Sequence, residues 1–587
     1  MENKSTGRKA LWFAVLSIIV WLSIGGFSGQ AFSKISTVQK NDNASFLPGS
    51  AESTLANKVI AKFSPQSSDS LPTLLLFIGD INPAKNPQAL ADINTFVGSL
   101  GSKVLPESGK PLSTYLIPGA PIVAVPSQDG KAAIVNLQFN ATIATQNIED
   151  KPALPKIIKF IRTEISKELA NKGLESHVTG AGGLFADLFD AFGSINTKLL
   201  QTTLLVVAVI LIFVYRSPIL WILPLFTAGT ALGLATLLIY LLAKNGVIDL
   251  NGQTQGILDV LVLGAATDYA LLLISRYREE LHHHPSRYVA MRATLRGVIE
   301  PIVASGSTVI VGLMVLLLSD LSSNRALGPV GSIGIASAMV ASLTLLPALL
   351  LIFGRWIFWP KIPRFDDVDE KLSGIWSKVG KFVERRPKPI WITTAAILVI
   401  FAGFAPTLNT AGLSQSQSFT SKTDAVIGLE KLGEHFPSGE GNPVEIVVKS
   451  SDIAPVSAAL KSLPTVASVV PMTGFDPATK QPTSDVVIVD GKALIYATLN
   501  VAADSSAAKK AIPGIRSAVK KIDPSILVGG QSAIGYDIDV ASRHDVRTII
   551  PIVLILIAII LGLLLRSILA AGILLVTVVL SFLATLG

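Results

Sequence analysis

The 587-residue chain is 50% hydrophobic and 15% charged, with a mean hydropathy of +0.55. Soluble domains average about 25% charged residues, so the composition excludes an ordinary soluble protein and indicates a polytopic membrane protein. The net charge of +8 does not indicate nucleic-acid binding, because the basic residues collect in short links between apolar spans. The lack of cysteine excludes disulfides, thiolate metal sites and thiol catalysis.

The first apolar span covers about residues 10–32 and follows Lys4, Arg8 and Lys9. It is longer than the apolar region of a signal peptide, so we predict that residues 1–33 form a retained helix with a cytoplasmic N-terminus.

Residues 34–195 are polar enough and long enough for a domain. Its predicted order is strand, helix, strand, strand, helix, strand, at 72–78, 87–100, 121–125, 132–139, 153–171 and 176–179. This βαββαβ order is the ferredoxin-like split unit. Gly180, Gly182 and Gly183 follow it, either as a flexible joint or as ordinary turn glycines.

Residues 196–354 contain five further spans, at about 197–215, 219–243, 256–275, 297–319 and 327–354. The link from 276 to 296 carries five arginines, which predicts a cytoplasmic location. Residues 355–389 form a second cytoplasmic link, and 390–408 a seventh helix. An amphipathic helix along the inner membrane surface is predicted in that link from the apolar residues Ile375, Trp376, Val379, Phe382 and Val383.

Residues 409–543 are predicted to form a second polar domain, with strands at 444–449, 466–472, 493–500 and 526–529 and helices at 453–463 and 506–522. Residues 546–587 hold an eighth helix and the start of a ninth. The chain therefore predicts a polytopic α-helical fold with two extracytoplasmic α+β domains.

An internal repeat relates the two halves. Asp187 matches Asp537 and Arg216 matches Arg566, both at a separation of 350 residues. A counterpart of Asp268 would then fall at position 618, which is 31 residues beyond Gly587. We therefore expect the second half to be incomplete, through C-terminal truncation or because another chain supplies the rest.

Asp268 lies inside an apolar run that extends from Ile257 to Ile274. A helical rise of about 1.5 Å per residue places it about 12 Å from Arg276, within the hydrocarbon, where a carboxylate costs roughly 2.5–3.5 kcal/mol. The other acid of the run, Asp259, is expected at the opposite headgroup layer. A carboxyl group in apolar surroundings favours its protonated form, so Asp268 is a candidate proton carrier. The alternative is a structural Asp bonded to a neighbouring helix.

The segment from Gly264 to Leu273, followed by Arg276-Tyr277-Arg278-Glu279-Glu280, resembles the MMPL branch of the resistance–nodulation–division (RND) superfamily. The resemblance implies two porter domains and export of lipids or hydrophobic small molecules, driven by the proton gradient without a cofactor, a metal or enzymatic activity. It further implies a proton relay of Asp268, Tyr269 and Ser305, with Gly264, Ala265 and Gly306 packing around it. Family members carry a second Asp-Tyr pair, which this sequence lacks.

This resemblance predicts a multi-pass protein of the cell membrane, with both porter domains outside the cytoplasm. The expected partners are membrane lipids and a hydrophobic substrate, with either a missing C-terminal half or a second copy of the chain. Two alternatives remain open: a non-transporting RND-type membrane partner, for protein export or lipid sensing, and an inactive fragment of a longer transporter.

Overall fold

The computed structural model describes residues 4–39, 48–63, 70–82, 85–118, 122–144, 147–148, 151–169, 172–365, 375–408, 422–436, 442–476 and 481–587. The chain divides into two compact units. The membrane unit comprises Met1–Phe46, Asn196–Thr410 and Ser542–Gly587, and the α/β unit comprises Leu47–Ile195 and Ala411–Ala541.

The helices, in chain order, are α1 (Lys4–Lys34), α2 (Glu52–Phe63), α3 (Pro87–Leu100), α4 (Ala141–Ala144), α5 (Ala153–Leu169), α6 (Gly180–Tyr215), α7 (Ile222–Lys244), α8 (Gly252–His283), α9 (Arg287–Met314), α10 (Ser322–Phe353), α11 (Ile375–Arg385), α12 (Pro387–Gly403), α13 (Asp424–His435), α14 (Ile453–Lys461), α15 (Ser506–Lys520), α16 (Gln531–Leu565) and α17 (Ile568–Leu586).

The strands are β1 (Ser70–Ile78), β2 (Val104–Leu105), β3 (Lys110–Pro111), β4 (Ala124–Pro126), β5 (Ala132–Asn140), β6 (Asn147–Ile148), β7 (Lys151–Pro152), β8 (Glu175–Thr179), β9 (Val444–Lys449), β10 (Val466–Pro471), β11 (Thr473–Asp476), β12 (Gln481–Val486), β13 (Ile488–Val489), β14 (Lys492–Leu499) and β15 (Leu527–Gly529).

Eight helices among the described residues are long and apolar enough to cross a membrane, and the second part of α6, Gln201–Tyr215, is a shorter apolar stretch. These helices coincide with the spans predicted from hydropathy. Helices α1 and α7 to α10 share one buried core, whereas α12 and α17 keep most of their apolar side chains exposed, and α16 has mostly half-buried ones. The predicted amphipathic helix is present as α11, with Val379, Phe382 and Val383 exposed; the side chains of Ile375 and Trp376 lie outside the described residues.

Close helix contacts in this core depend on small residues. A Cβ added at Gly334 of α10 would lie 2.5 Å from Leu258 of α8, and one at Gly233 of α7 would lie 2.6 Å from Ser28 of α1. Helix α1 is tied further into the bundle by Trp21, whose indole N–H donates to Thr344 Oγ1 at 3.0 Å. The first apolar span is thus an integral part of the membrane unit.

The first sheet of the α/β unit has the strand order β4-β5-β1-β8, with every neighbouring pair antiparallel. Helices α3 and α5, which lie in the connections β1 to β4 and β5 to β8, cover one face of the sheet. The predicted strands and helices are present, with ends that differ from the prediction by at most three residues; residues 121, 170 and 171 lie outside the described part.

The second sheet repeats this arrangement. Its main strand order is β10-β14-β9-β15, again antiparallel, with α14 and α15 in the corresponding connections and on the corresponding face. Two additions were not predicted from the sequence: the β11–β12 hairpin and the short strand β13, which pairs with β14.

The second face of each sheet is covered by a helix that precedes the other sheet in the chain. Helix α13 places Leu432 on the first sheet against Leu74 and Leu76 of β1. Helix α2 places Phe63 on the second sheet against Val447 of β9. Neither helix was predicted from the sequence, and their exchange joins the two α/β folds within one unit.

The repeat is also visible in the backbone. Arg216 and Arg566, 350 residues apart, have φ values of 50° and 51°, and Gly180 and Gly530, also 350 apart, have 75° and 87°. Close packing holds the glycines after β8 in place, since a Cβ at Gly182 would lie 1.9 Å from Thr73 Oγ1. This packing favours the interpretation of these residues as turn glycines, which allow the start of α6 to lie against β1.

Candidate functional site

Asp268 and Tyr269 lie in the middle of α8 and point in different directions. Asp268 is exposed in the membrane unit, whereas Tyr269 is 4% exposed and packs in the helix core. The preceding Thr267 donates its hydroxyl hydrogen bond back to the carbonyls of Leu263 and Gly264, at 2.8 and 2.9 Å. Its hydroxyl is thereby engaged within α8, so Asp268 and Tyr269 are the polar groups this stretch offers to a ligand or proton.

A cavity of about 320 Å³ lies between α8 and α9 at this level. Asp268, Tyr269 and Ser305 all contribute to its wall, and the side chains of Tyr269 and Ser305 are within hydrogen-bonding reach. The structure thus brings the three predicted relay residues together. The remaining lining residues are Leu271, Leu272, Ser275, Pro301 and Ile302.

Gly306 is the residue that lets α9 approach this site closely. A Cβ at this position would lie 2.0 Å from Met339 Sδ on α10 and 3.0 Å from Tyr269 Oη. Real Cβ atoms essentially never approach another heavy atom within 3.0 Å. Gly306 therefore packs against the Tyr269 hydroxyl, as its proposed packing role requires, and Met339 is a neighbour that the sequence did not reveal.

The other two predicted packing residues differ from each other. Ala265 is half-buried and contacts the core of the membrane unit. Gly264 is exposed, and a Cβ added there would meet no atom within 4 Å. Among the described residues, no helix packs closely on Gly264, so its predicted packing role is not seen here.

Sequence reasoning also missed Ser275 and Pro301 as cavity residues. Pro301 cannot donate a backbone hydrogen bond, so the carbonyl four residues earlier, at Gly297, loses its usual helical partner. Helical spacing could have found Ser275, which lies seven residues, or two turns, after Asp268 on the same face.

The other acid of this helix, Asp259, is half-buried, and its Oδ1 has no hydrogen-bond partner among the described residues.

A second polar cluster lies where α16 meets the loop before α10. Ligand atoms of Asp320, His544 and Asp545 lie within 4.8 Å of one another. Asp545 is 4% exposed and accepts hydrogen bonds from Ser319 Oγ, from the Asp320 backbone N–H at 2.7 Å and from Asn324. Protein donors already occupy the Asp545 carboxylate, so the cluster ties the loop before α10 to α16.

A bundle of apolar helices, two matching α/β folds and a carboxyl group within a spanning helix define a multi-pass membrane transport protein of RND type. The model of the MMPL family matches residues 45–390 and 417–587. The chain belongs to the MMPL family.

Relatives extend along the whole chain. The membrane protein ActII-3 of Streptomyces coelicolor is 39% identical over 99% of this chain and 76% of its own length. The apo-petrobactin exporter of Bacillus anthracis is 30% identical over 99% of this chain and 79% of its own length. MmpL4 of Mycobacterium leprae, described as a probable transport protein, is 28% identical over 75% of this chain and 44% of its own length. Two of these three relatives are named as an exporter or a transport protein, and none of the three is named as an enzyme.

Proposed function

We propose that this protein exports hydrophobic small molecules or lipids, driven by the proton gradient, with Asp268, Tyr269 and Ser305 as the proton relay. The observation that carries the proposal is the shared cavity: an acid, a phenol and a hydroxyl from two spanning helices line one space of about 320 Å³. Acids at membrane depth characteristically mark ion or proton pathways. Asp268 exchanges the proton, and Tyr269 and Ser305 hold it by hydrogen bonds.

The relatives support export of a small molecule. The relative from Bacillus anthracis that matches 99% of this chain is named as an exporter of apo-petrobactin. The mycobacterial transport proteins match a smaller share. A hydrophobic small molecule is therefore the first substrate class to test, and a lipid is the second.

The two α/β folds are, on this proposal, ferredoxin-like porter domains outside the cytoplasm. This assignment is supported by the strand order that the two sheets share and by the placement of two helices on one face of each sheet. The basic link that begins at Arg276 lies on the cytoplasmic side, with the N-terminus. Because the chain has no cysteine, Glu107→Cys and His283→Cys can be compared with an impermeant thiol reagent on intact cells. Labelling at 107 but not at 283 is expected, and the reverse would invert the topology.

Partners are part of the proposal. Asp268 and Gly264 are exposed in the membrane unit, and an exposed carboxylate facing hydrocarbon is unfavourable. We therefore infer that a polar partner covers this face, either a second copy of the chain or helices that carry the repeat counterpart of Asp268. Membrane lipids surround the rest.

The relay is tested in inverted vesicles from cells that produce the protein, with respiration as the proton source. Addition of a lipophilic dye should release protons in wild-type vesicles, and Asp268→Asn should abolish this release. Ser305→Ala should slow it by roughly tenfold or more, the usual size of a proton-transfer contribution. Ser307→Ala on the same helix and Asp259→Asn on the same helix as Asp268 are the matched controls. Wild-type release in the Asp268→Asn vesicles would refute the relay. No release in wild-type vesicles would favour a non-transporting membrane partner.

A further inference from the structure

The exchanged helix α13 is held on the first sheet by its first residue. The Asp424 carboxylate accepts hydrogen bonds from Arg162 Nε at 2.6 Å and from the Val178 backbone N–H at 3.0 Å. It also contacts His177 Nδ1 at 2.8 Å. Arg162 is fixed in turn by a bidentate pair with Asp187 at the start of α6, at 2.7 and 3.1 Å. We name this set the first clasp.

The second exchanged helix, α2, is held in the corresponding way. Its first residue, Glu52, accepts from the Val528 backbone N–H at 3.0 Å and lies 3.3 Å from Arg516 Nε. Arg516 forms a bidentate pair with Asp537 of α16, at 2.7 and 3.0 Å. Val178 and Val528, like Asp187 and Asp537, are 350 residues apart, so this second clasp is the repeat counterpart of the first.

The two clasps differ in the second cation that contacts the helix carboxylate. In the first clasp this group is His177, on β8. In the second it is Lys520, on α15, while the repeat counterpart of His177 is the apolar Leu527. Histidine changes charge near neutral pH and lysine does not.

The far ends of the helices show the same difference. His435 Nδ1 at the end of α13 lies 2.7 Å from Asp129 Oδ2, in the turn between β4 and β5. Near the end of α2, Lys62 Nζ lies 3.1 Å from Asp490 Oδ2. Both ends of α13 therefore carry a histidine contact, and both ends of α2 carry a lysine contact.

Two carboxylates contact His177 directly, and two further charged groups act through one of them. Asp424 approaches from α13 and Glu175 from the same strand, with Glu175 Oε1 at 3.0 Å from His177 Nε2. Arg162 of α5 and Asp187 of α6 act through Asp424. The β1 residue beside His177 in the sheet is the apolar Leu76.

The balance of these groups favours the imidazolium. The hydrogen bond to Asp424 raises the pKa of His177 above its ordinary value of 6.5; burial opposes this effect and Glu175 adds to it. A raised pKa in the folded state gives stabilisation that is fully present below 6.5 and is lost as the pH rises through the higher, folded pKa. The His177–Asp424 contact is thus strongest in an acidic medium.

We propose that α13 is a pH-dependent latch, closed on the first sheet by the His177–Asp424 contact in acid and loosened in alkali, while α2 holds the second sheet independently of pH. The two halves of the α/β unit then respond differently to the proton concentration around them. This proposal concerns the α/β unit alone and does not depend on the relay.

Amide hydrogen exchange of the whole protein in detergent, read by mass spectrometry and corrected for intrinsic exchange, tests the latch. Peptides from α13 should lose protection between about pH 6 and about pH 8.5, by roughly fivefold, the difference between a charge-assisted and a neutral hydrogen bond. Peptides from α2 serve as a control within the same molecule and should change by less than about twofold. An equal pH response in α2 and α13 would overturn the proposal.

Variants at the two histidines separate titration from simple loss of contact. His177→Asn keeps a neutral donor near the Nδ1 position, so α13 should remain folded but lose most of its pH response. His435→Asn removes the contact at the other end of α13 and should leave the pH response at its first turn unchanged. A wild-type pH response in His177→Asn would also overturn the proposal. If His177→Asn does not fold, the comparison of α13 with α2 in the wild-type protein still decides.

Discussion

Replacement of Gly306 by alanine tests whether the close approach of α9 determines the geometry around Tyr269. The added Cβ would lie 2.0 Å from Met339 Sδ, 2.8 Å from Met339 Cγ and 3.0 Å from Tyr269 Oη. Two of these distances are shorter than any normal contact, so the Met339 side chain must move. The Tyr269 hydroxyl must give way by a few tenths of an ångström.

The expected free-energy change follows from two opposing effects. Overpacking in a well-packed core costs about 1–3 kcal/mol, and alanine is about 1 kcal/mol more favourable than glycine inside a helix. Gly306→Ala should therefore destabilise the membrane unit by up to about 2 kcal/mol. In a Met339→Ala background the worst contact is gone, so the same substitution should stabilise by up to about 1 kcal/mol. The sign of the effect reverses between the two backgrounds.

Thermal inactivation of the detergent-solubilised protein, followed as the fraction that stays monodisperse, measures this cycle. Gly312→Ala is the matched control on α9, since a Cβ there meets no atom within 4 Å, and Gly264→Ala is the control on α8. Both should be neutral or stabilising. If Gly306→Ala has the same sign with Met339 present and absent, the contact is not what selects glycine at this position.

Three further predictions concern stability. Burial raises the pKa of Glu445 from 4.5 to about 7, so the folded protein binds a proton that the unfolded chain has released, and stability should fall as the pH rises from about 4.5 to about 7. Glu445→Gln should remove this slope in urea unfolding, and an unchanged slope would contradict the assignment. Arg516→Met should cost on the order of 3 kcal/mol because it leaves Asp537 buried without its cation. Lys62→Met removes an exposed pair and should cost less than about 1 kcal/mol. Equal losses of stability for Arg516→Met and Lys62→Met in urea unfolding would show that burial does not determine the cost of losing an ion pair. Asp545→Ala should cost about 1–2 kcal/mol because it leaves the Ser319 hydroxyl and the Asp320 N–H without their acceptor, and added zinc should leave the thermal stability of the wild-type protein unchanged.

Much of the fold could be predicted because hydropathy and periodicity are local signals. Spanning helices require long apolar runs, and these are read directly from the sequence. Helix α3 begins at Pro87 and ends at Leu100 as predicted, since proline at the first position and Asn86 as N-cap mark its start. Helix α2 was missed because it is a single 12-residue helix among polar residues, with a weaker apolar face than α5.

Part of the site could be predicted because an acid inside an apolar run is unusual whatever its neighbours are. Asp268 was found in this way, and Tyr269 and Ser305 followed from the family resemblance. The structure places Ser305, and not Ser307, on the wall of the cavity. Met339 could not be predicted, because its contact with Gly306 depends on how α10 lies against α9. The roles of the three relay residues stay predictions.

The helix exchange contained a signal that the sequence reading did not use. Strand β1 carries the unbroken apolar run Leu74-Leu75-Leu76-Phe77-Ile78, whereas a strand with one solvated face alternates. Leu75 and Phe77 face α3 and α5, and Leu74 and Leu76 face α13. The run therefore required a cover on both faces, but nothing local could say that the second cover begins at Asp424.

That long-range cover has a consequence for assembly of the α/β unit. The Val178–Asp424 and Val528–Glu52 hydrogen bonds join residues 246 and 476 positions apart. Each α/β fold can form its sheet and pack its own two helices from nearby sequence, but the second face of its sheet stays uncovered until the other repeat supplies a helix. Contacts of such separation form slowly, because a long loop must close before they contribute. The carboxylates at the first residues of α2 and α13 are suited to such long-range contacts. Each one attracts an arginine, and each also accepts a hydrogen bond from one backbone N–H of the strand on which the helix packs. The exchange thus makes the stability of each half of the α/β unit depend on the other half.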